Sequence, residues 1–415
     1  MALKDMKVLI CGGGIAGPAL AYWLAQLGHK VVIVERSPAL RETGAQVDIR
    51  GQGIVAIKRM GLHDAIRSKL VDEKGVSIVN SKGKVKATIL ANKSGKGAQS
   101  LSSEYEIMRG DLVRTLHKAT EDNVSYIFGK TVDSFKEDGN RVVAYFSDGS
   151  SDTFDMLVGA DGQGSRVRRL IQPIGAPSEY HNIGAHMAYC FIPRIESDEI
   201  GMCRTYLSPG RRMLMTRTHN EKETQVYFIL LSDSEELRTV PKRSVEEQKQ
   251  AWADMFHDAG WQGDRFIKEM QVTDNWFCQD VVQVKTATWH SGSVVLVGDA
   301  AHCPSPVTGM GTSSSLVGAY VLAGEISRCE DLTQAFENYH RIMQPYIDEI
   351  HQLNTWWLRL VMPKSRGMIS IIHFLVGLAC FLHIPQLMAR FSNDWGGDWE
   401  LPSYPELDVG QTEKQ

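Results

Sequence analysis

Three glycines near the N-terminus have the spacing of a loop that holds a dinucleotide. Gly12, Gly14 and Gly17 follow the apolar run VLIC and precede a helical pattern that ends at Gly28. In G-x-G-x-x-G, the first glycine permits a tight turn, the second lets the backbone approach a pyrophosphate, and the third lets helix and strand pack closely. The next apolar run ends in Glu35, whose carboxylate is placed to accept hydrogen bonds from ribose hydroxyls. This segment predicts a dinucleotide site, without distinguishing NAD from FAD.

Two later segments each contain a buried strand that leads to an acidic residue. In DMLVGADG, a short apolar run leads into Asp161 and Gly162, which indicates a sharp turn at the end of a strand. In VVLVGDAAHCPSPVTGMG, a second apolar run leads to Asp299, and a loop with two prolines then reaches Gly309 and Gly311. Small and apolar residues follow for several turns, which predicts a long helix that begins beside these glycines.

In this order, the three motifs resemble those of single-component (class A) FAD-dependent monooxygenases with the para-hydroxybenzoate hydroxylase fold. The resemblance covers roughly residues 6–350 and is greatest to the branch with tetracycline-inactivating and natural-product tailoring enzymes. It implies an α/β protein: a Rossmann-like FAD-binding domain with a parallel sheet, a substrate domain with an antiparallel sheet, and a C-terminal helical segment. The expected division is 1–75, 100–175 and 291–350 for a discontinuous FAD-binding domain, 76–99 and 176–290 for the substrate-binding domain, and 351–415 for the C-terminal helices and tail.

The resemblance also implies FAD as the resident cofactor and a set of residues that hold it. The glycine loop would bind the pyrophosphate, Glu35 the adenosine ribose, and Arg109 the region between the phosphates and the ribityl chain. Asp299 would bind the ribityl chain, and the helix that follows would direct its N–H groups at the flavin pyrimidine. The complete expected set is Gly12, Gly14, Ile15, Ala16, Gly17, Glu35, Arg36, Arg109, Asp161, Gly162, Asp299, Gly309, Gly311 and Thr312.

A separate nicotinamide domain is not predicted, because no second G-x-G-x-x-G follows a strand. The family resemblance implies NADPH as a transient co-substrate that reduces the flavin. Oxygen would then form a flavin C4a-hydroperoxide that hydroxylates or epoxidises a small organic molecule, expected to be aromatic or polyketide-like. The alternative is a flavin-dependent reductase or dehydrogenase without oxygen insertion. A flavin-dependent halogenase is disfavoured because the chain has no W-x-W-x-I-P stretch.

Short strand-like runs between residues 176 and 290 predict an antiparallel sheet. In the family that the sequence resembles, such a sheet roofs the substrate pocket. Side chains on these runs are therefore pocket candidates, with a purely structural role in the core as the alternative for each. The candidates are His186, Tyr189, Met213, Met215, Arg217 and Tyr227.

The loop GAQVDIRGQG follows the second strand, where this fold brings the chain past the flavin ring. Asp48 and Arg50 are therefore candidate groups near the flavin, with solvent-exposed loop charges as the alternative. No catalytic base is assigned, and His302 in the third motif is interpreted as support for the loop. Two positions depart from related sequences: Ser313 stands where Asn is common, and Gly318 stands where Asp is favoured.

The composition limits the classes of molecule that the protein is expected to bind. The formal net charge of -4 has no polybasic character, which argues against nucleic acid. Seven scattered cysteines without a C-x-x-C pair favour reduced thiols in a cytoplasmic protein and no metal site. A small-molecule substrate and O2 are the expected partners of a monomer or weak dimer.

The apolar stretch 368–384 is expected to form a helix that caps the pocket, with membrane association as the lesser alternative. The tail after Asn393 is expected to be loose.

Overall fold

The computed structural model describes residues 5–91, 104–173, 176, 179–384 and 399–407. Residues 92–99, assigned above to the substrate domain, lie outside this part. The strands are β1 (Lys7–Cys11), β2 (Lys30–Glu35), β3 (Gln46–Asp48), β4 (Gly75–Val79), β5 (Val85–Leu90), β6 (Glu106–Met108), β7 (Val124–Phe128), β8 (Val132–Asp138), β9 (Arg141–Phe146), β10 (Ser151–Phe154), β11 (Met156–Gly159), β12 (Tyr180–Pro193), β13 (Met202–Ser208), β14 (Arg212–Arg217), β15 (Glu223–Leu231), β16 (Trp276–Val284), β17 (His290–Ser291) and β18 (Val294–Leu296). The helices are α1 (Ala16–Gln26), α2 (Gln52–Arg59), α3 (His63–Arg67), α4 (Arg109–Lys118), α5 (Arg166–Ile171), α6 (Val245–Phe256), α7 (Gly263–Val272), α8 (Asp299–His302), α9 (Gly311–Arg328), α10 (Leu332–Ile350), α11 (Trp356–Val361) and α12 (Arg366–Phe381).

The glycine motifs follow the strands of a six-stranded sheet with the order β17-β18-β11-β1-β2-β7. Its strands are parallel except for β17, and Ile10 of β1 pairs with Val158 of β11 and Ile33 of β2. Strands buried on both faces consist of continuous apolar runs, which is the pattern of β1, β11 and β18. Because parallel strands end at one edge, the segments after β1, β2, β11 and β18 meet there.

Helix α9 is the central support of this sheet. It packs against α1, α2 and α10, and residues 312–327 are all buried. The ring of Trp23 in α1 contacts the ring of Tyr320 in α9 edge to face, with centroids 5.2 Å apart. The first turn of α9 is thereby fixed beside the loops at the carboxyl ends of the strands.

A seven-stranded sheet forms the second layer, in the order β16-β12-β15-β14-β13-β4-β5. Its neighbouring strands are antiparallel except for the parallel pair β4–β13. One face packs Phe228 against Trp252 and Phe256 of α6. On the opposite face, Met187 and Met213 belong to a cluster with Leu358 of α11. A smaller sheet, β8–β10, and a two-stranded ribbon, β3–β6, complete the strand pairings among the described residues.

The predicted C-terminal helix is present as α12. It packs against β5 and β13, and Ile369 is its buried contact with the cluster around Met187. Ile372 is half-buried against the same cluster, whereas several other apolar side chains of the helix are exposed, including Phe374 at 68% and Phe381 at 79%. Among the described residues, no helix combines the length and apolar character that crossing a bilayer requires.

The expectation of a loose tail after Asn393 is wrong for residues 399–407. Leu401, Tyr404 and Leu407 are buried in the core around α9. The Tyr404 hydroxyl donates a hydrogen bond to Glu325 Oε1 at 2.7 Å, and its backbone N–H donates to the Tyr320 hydroxyl. The ring lies over Gly324, where a Cβ would approach within 2.3 Å. The acidic composition of the tail concealed these three apolar anchors.

Candidate active site

A cleft of about 240 Å³ opens at the carboxyl edge of the parallel sheet. Seven residues of the expected cofactor set line it: Gly12, Gly14, Glu35, Arg36, Arg109, Asp161 and Gly162. Four cationic residues that the sequence analysis did not single out also line it: Arg41, Lys130, Arg166 and Arg169. They come from the loop after β2, the turn between β7 and β8, and helix α5, and are too scattered along the chain to form a motif. The cleft therefore combines a glycine loop with a cationic rim, which suits an anionic dinucleotide.

The three motif glycines fit the roles that their spacing predicts. Gly12 has φ +117°, and a Cβ there would lie 2.4 Å from the carbonyl oxygen of Ala160. A Cβ on Gly17 would lie 2.0 Å from the Gly12 carbonyl oxygen, so α1 can pack this closely only with glycine at that position. By contrast, the position above Gly14 is open apart from Arg109 Nη2 at 3.7 Å. Ile15 and Ala16 start α1 directly after this loop.

Glu35 is held in place by the backbone around it. Its Oε2 accepts a hydrogen bond from the Gly13 N–H at 2.8 Å, and its Oε1 accepts one from the Ser37 N–H at 2.9 Å. A carboxylate oxygen can accept a second hydrogen bond, so both oxygens still have capacity for hydroxyl donors in the cleft. This geometry suits the recognition of a ribose.

The Asp161 motif is fixed as the start of α5. Asp161 Oδ1 accepts a hydrogen bond from the Ser165 hydroxyl at 2.5 Å, and its Oδ2 accepts one from the Arg166 N–H at 2.6 Å. Two residues on, Arg168 is fully buried and donates to the Ala300 carbonyl at 2.8 Å. That bond ties the second motif to the third.

Arg109 joins the loop after β2 to the glycine loop. Its Nη1 donates to the carbonyl oxygens of Arg41 and Thr43 at 3.0 and 3.1 Å, while its Nη2 faces Gly14. Burial lowers the pKa of Arg109 from its ordinary value, and the positive charge of Arg41 adds to this effect. A guanidinium in this position is available to an anion in the cleft.

Asp299 carries an acceptor that the described residues leave unused. Its Oδ1 is buried and receives no hydrogen bond from them. Burial raises the pKa of Asp299. A Cβ on Gly311, the first residue of α9, would lie 3.6 Å from this oxygen, and Thr312 follows within the same buried turn. A buried acceptor beside free N–H groups at a helix start suits a ligand with both hydroxyls and acceptors.

Asp48 and Arg50 lie against the loop that starts α9, not in solvent. Arg50 Nη2 donates to Asp48 Oδ2 at 2.9 Å, with the two side chains 9% and 17% exposed. The Arg50 N–H donates to the Ser313 hydroxyl at 2.8 Å, and a Cβ on Gly309 would meet Asp48 Oδ2 at 2.9 Å. Ser313 therefore uses its hydroxyl to hold this segment.

Gly318, the second departure, faces the buried ring of His302. A Cβ there would lie 3.3 Å from the Tyr339 hydroxyl and 3.6 Å from His302 Nε2, so a larger side chain has little room. Burial lowers the pKa of His302 to about 3, with a further contribution from His351. His302 is therefore neutral at physiological pH, and its ring packs on Trp289 at 4.9 Å.

Five of the six pocket candidates share one face of the seven-stranded sheet: Tyr189, Met213, Met215, Arg217 and Tyr227. Met215 pairs with Tyr227, and Tyr227 pairs with Tyr189, so these side chains form a row across three strands. Met213 lies in the next row on the same face. The Tyr189 ring is 5.9 Å from the Tyr227 ring, and its phenol lies near Arg41 and Arg109. This face is apolar and aromatic next to the cofactor cleft.

Two of the six candidates, His186 and Arg217, are both engaged by other residues of the protein. His186 faces the opposite side of the sheet, where it bonds Asp280 at 2.8 Å and the Ser232 carbonyl at 3.1 Å. It lies there among Leu237, Val240 and Trp252 of the outer layer. Arg217 is on the pocket face but is engaged by two buried glutamates.

Comparison with known proteins places this site in a family. Residues 5–345 match the family described as "FAD binding domain". The FAD-dependent monooxygenase asL4 of Sarocladium schorii is 36% identical over 98% of this chain and 99% of its own length. The flavin-dependent monooxygenase eupH of a Phoma species is 36% identical over 91% of this chain and 92% of its own. The chain belongs to the FAD-dependent monooxygenase family.

Solved structures agree with this assignment. The tetracycline destructase Tet(51) is 28% identical, with a TM-score of 0.76 over 96% of this chain and 99% of its own. HpxO of Klebsiella pneumoniae, in complex with FAD and uric acid, shares the fold at 18% identity with a TM-score of 0.71, covering 92% of this chain and 96% of its own. The resemblance to class A monooxygenases and the mixed α/β fold are thereby confirmed. The site of this monooxygenase fits FAD for two reasons. The glycine loop leaves open space above Gly14, where a pyrophosphate can approach the backbone, and Asp299 offers a buried hydrogen-bond acceptor.

Proposed function

We propose that this monooxygenase uses NADPH and O2 to hydroxylate or epoxidise a small aromatic or polyketide-like natural product. The carrying observation is that the aromatic row adjoins the cleft at the glycine loop: the Tyr189 phenol, at one end of the row, lies near Arg109, which lines the cleft. A dinucleotide and an apolar substrate could thus lie in contact across this junction. The tetracycline destructases, by name, act on tetracyclines, which supports a polycyclic aromatic substrate for this chain.

In this proposal, the expected set of residues holds FAD. Gly12, Gly14 and Gly17 cradle the pyrophosphate, with Ile15 and Ala16 at the start of α1. Glu35 binds the adenosine ribose, next to Arg36. The remaining members of the set bind the central part of FAD and its flavin ring: Arg109, Asp161, Gly162, Asp299, Gly309, Gly311 and Thr312. When held by these residues, FAD would supply the redox chemistry of the reaction, with NADPH as the reductant and O2 as the source of the transferred oxygen.

The protein's own contribution is orientation and exclusion of water. On the pocket face, Met187, Met213 and Ile229 form an apolar cluster with Val307 and with side chains of α11 and α12. An apolar wall of this kind keeps water from a reactive oxygen donor. The cationic rim of Arg41, Lys130, Arg166 and Arg169 supports the approach of the anionic NADPH to the cleft.

The deciding experiment follows the bound flavin spectrum anaerobically, before and after NADPH is added, and then traces 18O2 into product. Slow bleaching without substrate, faster bleaching with a polycyclic phenol, and 18O in the product would support the proposal. Rapid bleaching without oxygen incorporation from any candidate would favour a reductase. A protein that neither carries FAD nor takes it up would overturn the proposal.

A further inference from the structure

A buried charge cluster lies where the β3–β6 ribbon meets the seven-stranded sheet. Glu106 is 0% exposed and Glu73 is 5% exposed, and both face Arg217 of β14. Arg217 Nη1 donates to Glu106 Oε2 at 3.3 Å, and its Nε lies 3.7 Å from Glu73 Oε2. The Asp48–Arg50 pair adjoins this group across the ribbon. Nothing in the mechanism proposed above uses the two glutamates.

Gln46 holds the two glutamates together. Its Nε2 donates to Glu106 Oε2 at 2.6 Å and to Glu73 Oε2 at 3.0 Å. Its own oxygen accepts from Gln225 Nε2 at 3.2 Å, and the Tyr227 hydroxyl donates to Gln225 Oε1 at 2.9 Å. The cluster therefore connects directly to the aromatic row of the pocket face.

Asp48 and Glu106 are direct partners across the antiparallel ribbon. Two ionised carboxylates opposite each other repel and have no proton to share. The two carboxyl groups are close enough to interact by a hydrogen bond, and a carboxyl group can donate one only when it is protonated.

Burial raises the pKa of Glu106 to about 8, against the opposing effect of Arg217 and with added repulsion from Asp48 and Glu73. Burial also raises the pKa of Glu73, and Arg217 and the hydrogen bond from Gln46 oppose this effect. Burial raises the pKa of the Cys203 thiol on β13 to about 11, and burial also raises the pKa of the Tyr227 phenol. We assign the proton to Glu106 because it lies directly opposite Asp48 and is 0% exposed, whereas the Asp48 side chain is 17% exposed and paired with Arg50.

We propose that Glu106 is a neutral acid whose hydrogen bond to Asp48 positions the Asp48–Arg50 pair against the loop that starts α9. It is a positioning residue, because Asp48 and Arg50 contact Gly309 and Ser313 whereas Glu106 lies behind them. Loss of its proton would place a second negative charge beside Asp48 and push the pair from this loop. The effect of Glu106 on FAD binding rests on the proposed function, which places the flavin at the start of α9.

The test compares the native protein with Glu106→Gln, Glu106→Ala and Glu73→Gln, by the dissociation constant for FAD from pH 6 to pH 9.5. An apparent affinity that depends on one proton falls by up to about tenfold per pH unit above the pKa. We expect this fall in the native protein above pH 8. The Glu106→Gln amide retains an N–H donor towards Asp48 and an acceptor towards Gln46, so this variant keeps the affinity and loses the alkaline fall. Glu106→Ala weakens FAD binding at every pH.

Glu73→Gln is the matched control, because it removes the other carboxylate on Arg217. The negative charge of Glu73 raises the pKa of Glu106, so its removal moves the alkaline fall to lower pH. A purely structural role for these glutamates would not produce two variants with opposite effects on the pH profile. An alkaline fall that persists unchanged in Glu106→Gln would overturn the proposal.

Infrared spectroscopy provides a readout that does not depend on FAD. The C=O stretch of a protonated buried carboxyl should be present at pH 7, titrate away at alkaline pH, and be absent from Glu106→Gln. If the protein never binds FAD, the proposed function fails while this band still decides the protonation of Glu106. If FAD binds but the band is absent, Glu106 is ionised and the present inference fails alone.

Discussion

Gly309 and Asp48 are packed so closely that a single added carbon at position 309 would come within 2.9 Å of Asp48 Oδ2. Gly309 also has φ +65°, in the left-handed region that glycine adopts without strain. The two residues are brought together from distant parts of the chain. Their contact sets the position of the loop between α8 and α9 relative to β3.

Gly309→Ala is expected to weaken FAD binding and to destabilise the fold. Backbone strain alone costs about 1–2 kcal/mol at a left-handed position. Gly139→Ala isolates that component, since Gly139 has φ +62° and nothing within 4 Å of its added carbon. Urea unfolding and FAD titration of both variants measure the difference. Equal effects from the two variants would contradict a role for the Asp48 contact.

Arg109→Lys should lower FAD affinity by about 10- to 100-fold, because hydrogen bonds to a charged group contribute about 1.5–3 kcal/mol. Lysine keeps the charge but cannot bond both carbonyls of the 41–43 loop while facing Gly14. Arg114→Lys is the control, as Arg114 makes exposed ion pairs with Glu42 and Asp111. Fluorescence quenching on FAD addition gives both constants. An Arg109→Lys protein with native affinity would refute this role.

His302 should make the protein sensitive to mild acid. Its folded pKa is about 3, lowered by burial, whereas the unfolded imidazole titrates near 6.5. The stability from neutral His302 is therefore complete above pH 6.5 and falls as the pH drops towards 3, by at most about 1.4 kcal/mol per pH unit. Between pH 6 and pH 4, His302→Gln should reduce the slope of the unfolding free energy against pH by the contribution of one proton, about 1.4 kcal/mol per pH unit. His257→Gln, at an exposed site, is the control for the substitution itself.

Tyr404 is expected to be a major anchor of residues 399–407. Tyr404→Phe removes the hydrogen bond to Glu325 and should cost about 1 kcal/mol, whereas Tyr404→Ala leaves a cavity and should cost about 3–5 kcal/mol. Gly324→Ala tests the same contact from the other side, since its Cβ would strike the Tyr404 ring. Gly324→Ala should be far less harmful in the Tyr404→Ala background. Additive effects in urea unfolding would argue against the contact.

The glycine loop, Glu35 and the segments around Asp161 and Asp299 could be predicted because each depends on a few consecutive residues. A strand, a turn and a helix in one short stretch specify where the backbone goes. The Asp48–Glu106–Arg217 cluster could not be predicted, since its members come from β3, β6 and β14 and their side chains meet only when two sheets pack together.

The alternation of side chains along a strand separates His186 from Tyr189 on the sequence alone. Successive side chains in a strand point to opposite faces, so His186 and Tyr189, three residues apart, cannot both face the pocket. Met213, Met215 and Arg217 have the same parity and do share a face. Which of the two faces is the pocket could not be predicted, because both carry apolar residues and the choice depends on what packs against each.

The buried Tyr404 also bears on the order in which the molecule is made. Tyr404 and its partner Glu325 are 79 positions apart, so α9 leaves the ribosome well before its last packing partner does. The parallel sheet is similarly incomplete until β18 pairs with β11. Non-local contacts of this kind form late and slowly. The cofactor site would therefore mature only after residue 404 has been synthesised, and a nascent chain would have to be kept from aggregating until then.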